Sequence, residues 1–126
     1  MNNQTADLLV RIKNASLVGK TAIELPYSKM KERILEILKN EGFVSGIEIA
    51  ETDGKKSFAV TLSTTRKASH IKLISKPGHR IYAKAKDIKS PLRGFGLLIV
   101  STPQGMVTAK AANKLGLGGE LICEIW

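Results

Sequence analysis

Residues 96–126 read GLLIVSTPQGMVT, then AKAANKL, then GLGGELICEIW. Leu97–Val100 is the longest uninterrupted apolar run in the chain, and Gly96–Ser101 reads as a buried strand. The polar stretch Ser101-Thr102-Pro103-Gln104-Gly105 interrupts it. Thr108 then caps a short helix, Ala109–Leu115, which Gly116 closes. Gly118-Gly119 is a second punctuation mark. Leu121–Trp126 reads as a final strand, with Leu121, Cys123 and Ile125 alternating onto one face. Working back toward the N-terminus, Ile71–Lys76 and Arg80–Lys84 are two short basic strands around the turn dipeptide Pro77-Gly78, followed by a loop with Pro91 and Gly94.

The first half has a different rhythm. Leu8, Leu9, Ile12 and Ala15 have helical spacing, with Thr5 or Asn3 as the expected cap and Gly19 as the end. Thr21–Leu25 reads as a strand stopped by Pro26. Ser28 caps a second helix carrying Met30, Ile34, Leu35, Ile37 and Leu38 on one face, with Gly42 beyond its end. Phe43–Glu51 and Ser57–Ser63 form a hairpin about Asp53-Gly54. The expected fold class is α+β, in two small packed halves. Residues 1–65 are α-β-α-β-β; residues 66–126 are mostly β with one short helix. Halves of roughly 60 residues bury little surface alone, so they are expected to depend on each other.

The chain has 126 residues, 20 Lys plus Arg and 11 Asp plus Glu, a net charge of +9. Apolar residues are 43%, enough for one packed core, and the four-residue apolar run is far below the ~20 of a membrane span or the ~7–15 of a signal-peptide core. A membrane protein is therefore not expected. A single cysteine, Cys123, excludes an internal disulfide framework and suits a reducing cytoplasm. The charge is unevenly placed. Residues 1–65 carry 9 basic and 8 acidic residues, whereas residues 66–93 carry 9 basic residues against Asp87 alone. These charges alternate with strand-like apolar residues, so they form a fixed basic patch suited to a polyanion.

Enzyme chemistry has little to work with. His70 and His79 lack ligand neighbours at metal spacing, so no metal and no cofactor are expected. Cys123 reads as a buried structural thiol, and no phosphate-binding glycine fingerprint is present. A small hydrolase using Ser101 or Cys123 is the competing class, and no catalytic residue is assigned. Arg93-Gly94-Phe95-Gly96 copies the opening of the octamer of RNA-recognition motifs, but Leu97 and Val100 occupy its later aromatic positions, so it reads as a loop entering a strand. Aromatics are only 5%, which favours folded RNA over single strands. The short hydroxyls of Ser101 and Thr102 suit the 2′-hydroxyls and base edges of an RNA minor groove. Pro103 limits the loop's freedom, and Gly105 permits close backbone approach.

The run Gly96–Thr108, continued by Lys114-Leu115-Gly116-Leu117-Gly118-Gly119-Glu120-Leu121-Ile122-Cys123, closely resembles the C-terminal signature of the ribosomal protein S-eight family in its bacterial form. Ser75-Lys76-Pro77-Gly78-His79-Arg80-Ile81-Tyr82 resembles that family's basic hairpin, Ala6–Ala15 its first helix and Ser28–Lys31 the start of its second. Pro103 and Gln104 stand where the family commonly has Ser and Lys, and Asn3-Gln4-Thr5 where it usually has an Asp-Pro pair. The resemblance implies a non-catalytic small-subunit protein. It would bind a central-domain helix of ribosomal RNA and help organise the platform, as a monomer outside the ribosome. It implies the fifth and twelfth small-subunit proteins as neighbours. It also leaves open a free-standing RNA chaperone or messenger-RNA regulator of the same fold. The RNA-binding residues expected are Ser101, Thr102, Pro103, Gln104 and Gly105 in the loop, with Lys76, Arg80, Tyr82, Gly118, Gly119 and Glu120. Lys29 and Lys31 are expected as a second contact area.

Overall fold

The computed structural model describes residues 3–126. The chain divides into two compact units, residues 4–69 and residues 70–126. Among the described residues it is mixed α+β, with antiparallel strands throughout the sheets.

The first unit holds α1 (Asn3–Leu17), β1 (Ala22–Pro26), α2 (Lys29–Asn40), β2 (Val44–Thr52) and β3 (Lys55–Leu62). The sheet order is β1-β3-β2, so β1 is an edge, where Pro26 removes no ladder bond. Asp53 and Gly54 both have positive φ, 54° and 76°, the conformation of a two-residue turn matched to strand twist. Phe58, Val60 and Leu62 alternate inward on β3 and are buried, as are Ile34, Leu35, Ile37 and Leu38 of α2. Ser28 caps α2 as expected, its Oγ accepting from the Lys31 amide at 3.2 Å. Thr5 does not cap α1. It lies within the helix, buried, and its hydroxyl reaches the Met30 sulfur at 2.9 Å. The Arg66 guanidinium donates to the Glu41 carbonyl and covers the Phe43 ring, tying the end of this unit back to the connection between α2 and β2.

The second unit holds β4 (Ile71–Leu73), β5 (Tyr82–Ala83), 3-10 turns at Ala85–Asp87 and Leu92–Gly94, β6 (Leu97–Thr102), β7 (Gly105–Thr108), α3 (Ala109–Leu115) and β8 (Gly119–Ile125). The strands run β4-β8-β6-β7, and β5 also pairs with β8. The basic strands are shorter than expected and pair with β8 rather than with each other. The stretch after Ser101 is not a plain strand-to-helix loop. It is a hairpin tip, because Met106 and Val107 continue as β7 opposite Ser101 and Val100.

α3 covers one face of this sheet. Ala109 and Ala112 pack with Leu98, Val100 and Ile88, and Leu121 joins this cluster. Small alanines let the helix lie close, and Thr108 Oγ1 caps it by accepting from the Ala111 amide. Leu121, Cys123 and Ile125 do not share a face. Val100 pairs with Leu121 but Ile99 pairs with Cys123, so Ile122 is an extra residue, a β-bulge. Leu121 therefore faces α3 beside Val100, while Cys123 and Ile125 sit opposite Ile99 and Leu97 on the other face. Ile122 is itself fully buried.

Candidate nucleic-acid interface

On the N-terminal side of the bulge, β8 brings Glu120 opposite Ser101 of β6 and, on its other side, opposite Tyr82 of β5. Directly paired residues share a face, and neighbouring strands lie ~4.8 Å apart. Ser101, Glu120 and Tyr82 thus form a row of roughly 10 Å across three strands, on the face away from α3. Tyr82 is exposed, Ser101 half-buried and Glu120 only 8% exposed. The Glu120 carboxylate lies 3.9 Å from the Arg80 guanidinium, which is half exposed. It is therefore a buried acceptor held by a cation, not a solvated charge at a strand start.

Two glycines make this row possible. A Cβ on Gly119 would overlap the carbonyl of Ser101. One on Gly118 would stand 2.7 Å from the Ala83 carbonyl oxygen and 3.1 Å from Lys84 Cα. β8 can enter between β6 and the chain after β5 only without side chains at these two positions. Gly118-Gly119 is therefore part of the site's packing, and Gly119 already belongs to the strand.

The hairpin tip is set by Thr102. Its hydroxyl donates to the Gly105 carbonyl at 2.9 Å and accepts from the Gln104 amide at 3.1 Å. Thr102 is 8% exposed, so its donor is taken inside the tip and does not form an outward pair with the Ser101 hydroxyl. Pro103, Gln104 and Gly105 are exposed. Gly105 has φ +110° with open space around it, so its backbone angle, and not crowding, demands glycine there.

The basic hairpin is fixed by a residue the sequence reading did not single out. Ser75 is fully buried, and its Oγ both donates to the Ile81 carbonyl and accepts from the Ile81 amide. The backbones of Lys76 and His79 bond to each other around Pro77-Gly78. Lys76, His79 and Arg80 are exposed at this tip. A serine inside a basic, turn-bearing stretch was the available signal, but nothing local separates it from a surface serine. Lys29 is exposed at the start of α2 in the other unit, whereas Lys31 is buried, as are Ile34, Leu35, Ile37 and Leu38 of the same helix.

Burial pushes the Cys123 thiol up to about 12, with the Glu124 charge adding to it. It is thus an un-ionised structural side chain at neutral pH, not a nucleophile.

The profile of the family Ribosomal protein S8 matches residues 3–126. Small ribosomal subunit protein uS8 of Thermus aquaticus is 43% identical over 137 positions, covering 100% of this chain and 99% of its own. The uS8 protein of Dictyoglomus thermophilum is 45% identical over 96% of this chain and 95% of its own. That of Staphylococcus haemolyticus is 41% identical over 100% and 98%. A profile running through both units, with full-length relatives above 40% identity, gives the conclusion that the chain belongs to the ribosomal protein S8 family.

Proposed function

We propose that the β6–β7 tip, the Ser101–Glu120–Tyr82 row and the cations Lys76 and Arg80 form one surface that binds ribosomal RNA. Family membership makes the chain a structural constituent of the small ribosomal subunit. The finer reading is a helix of the central domain as the target, and the fifth and twelfth small-subunit proteins as neighbours. Lys29 adds a phosphate contact; Lys31 is buried in α2. No catalytic step is part of this reading.

Glu120 is the observation that carries it. A generic polyanion clamp gains nothing from a carboxylate, which phosphate repels. A carboxylate held by Arg80 between a serine and a tyrosine can accept from a 2′-hydroxyl or a base amine, and so select among RNAs. Lys and Arg supply affinity for any phosphate backbone.

Ser101→Ala should weaken a central-domain RNA helix roughly fivefold, the worth of a neutral hydrogen bond, and leave a scrambled duplex nearly unchanged. Filter binding at one fixed salt concentration measures both. Equal losses would make Ser101 a backbone contact only and move selectivity elsewhere. Lys76→Gln should behave differently. It should weaken both RNAs and flatten log K against log salt by about 0.7–0.9. An unchanged slope would remove Lys76 from the interface.

A further inference from the structure

The turn at Leu92–Gly94, before β6, lies at the opposite end of that strand from the hairpin tip, roughly 20 Å away for a strand of this length. Leu92 and Arg93 have φ of 52° and 54°, left-handed angles that residues with a Cβ rarely adopt. The turn is nonetheless firmly held. Gly94 and Gly96 donate to the Pro91 carbonyl at 3.2 and 3.0 Å, and Phe95 donates to the Leu92 carbonyl at 3.1 Å. Pro91 packs so closely on Gly96 that a Cβ there would stand 2.6 Å from its ring. This strained, pre-set turn leaves Phe95 81% and Leu92 51% exposed. Among the described residues, Phe95 and Tyr82 are the exposed Phe, Tyr or Trp rings, and Tyr82 belongs to the surface above. Lys89 and Arg93 are exposed just before the ring, with no carboxylate between Lys89 and Phe95.

We infer that Phe95 is a stacking platform for an unpaired nucleotide of the bound RNA, with Arg93 on its flanking phosphate. This rests on the RNA-binding reading and adds a second contact to it. The charge decides the occupant. Protein interfaces are depleted in lysine at their centres, whereas a polyanion needs this set of cations. The ring then supplies what a phosphate contact lacks, a face on which any base can stack. A turn already fixed in its bound shape loses little freedom on binding. Unpaired bases in folded RNA, not paired ones, are open to such a ring.

The test compares the full chain with its Phe95→Ala and Phe95→Trp variants. The probes are a transcript of the small-subunit central domain and a fully paired RNA duplex. Phe95→Ala should bind the transcript about tenfold more weakly and the duplex unchanged, and Phe95→Trp should restore transcript binding. The ring is exposed, so both variants should keep the unsubstituted melting temperature. Unchanged transcript binding by Phe95→Ala, or equal weakening on both RNAs, would overturn the platform. So would unchanged transcript binding with lost co-sedimentation on small subunits, which would assign the turn to a protein neighbour. Weakening by Phe95→Ala with none by Ser101→Ala would support the platform and overturn the hairpin-tip site instead. Failure of the unsubstituted chain to bind the transcript would overturn both.

Discussion

Gly119→Val should destabilise the unit of residues 70–126 by about 3 kcal/mol, the upper part of the usual range for forced overpacking. The atom it meets is the Ser101 carbonyl, a backbone atom in the central strand, which cannot rotate aside as a side chain can. β8 must then move away from β6 where Ser101 pairs with Glu120, and the row loses its register. RNA binding should fall more than tenfold even at temperatures where the variant is folded. Urea unfolding followed by circular dichroism measures the first effect, and filter binding at low temperature the second. An unchanged urea midpoint would mean that β6 and β8 are not held this closely.

Thr102→Val should have the largest effect of any change within the hairpin tip. The substitution keeps the shape but removes the hydroxyl that joins the Gln104 amide to the Gly105 carbonyl. The tip is exposed, so water can replace part of what is lost, and the expected destabilisation is about 1–2 kcal/mol. The larger effect is on recognition. Pro103 and Gln104 are then no longer held in one arrangement, and affinity for the central-domain helix should drop about tenfold. Ser101→Ala, in contrast, should weaken RNA without moving the unfolding midpoint. If both substitutions left stability untouched and weakened RNA equally, Thr102 would be a direct contact and not the tip's staple.

The fold was legible where one short stretch decides its own conformation. Ser28 before an apolar helical face, Asp53-Gly54 between alternating strands and Thr108 before Ala109–Leu115 each specify a local bond or backbone angle. The failures share a cause. β7 is four residues, Gly105–Thr108, that look like a lead into a helix and become a strand only because β6 lies beside them. Thr5 looks like a cap and is a buried helical residue because Met30 comes to it from another helix. Lys31 reads as a free cation from its type, whereas its place on α2's inner face buries it. In the site, the residue types were legible and their roles only in part. Thr102 was visible as a hydroxyl, but its inward direction depends on the turn. Glu120 was visible as a misplaced charge, but Arg80 beside it depends on the β5–β8 pairing. Ser75 had no local signal, since its bonds cross to Ile81.

Ile122 gives strand β8 two independent phases. Beyond it, Cys123 and Ile125 keep time with the core residues Ile99 and Leu97; before it, Glu120 keeps time with Ser101. Were Ile122 an ordinary member of the ladder and not a bulge, the alternation that buries Cys123 would put Leu121 in the row and turn Glu120 toward α3. A single inserted backbone unit therefore separates the grammar of folding from that of recognition along one strand. Glu120 can therefore stand beside Ser101 and Tyr82 while Cys123 and Ile125 stay in the core, with Gly118, Gly119 and Leu121 as constrained by packing as the core itself.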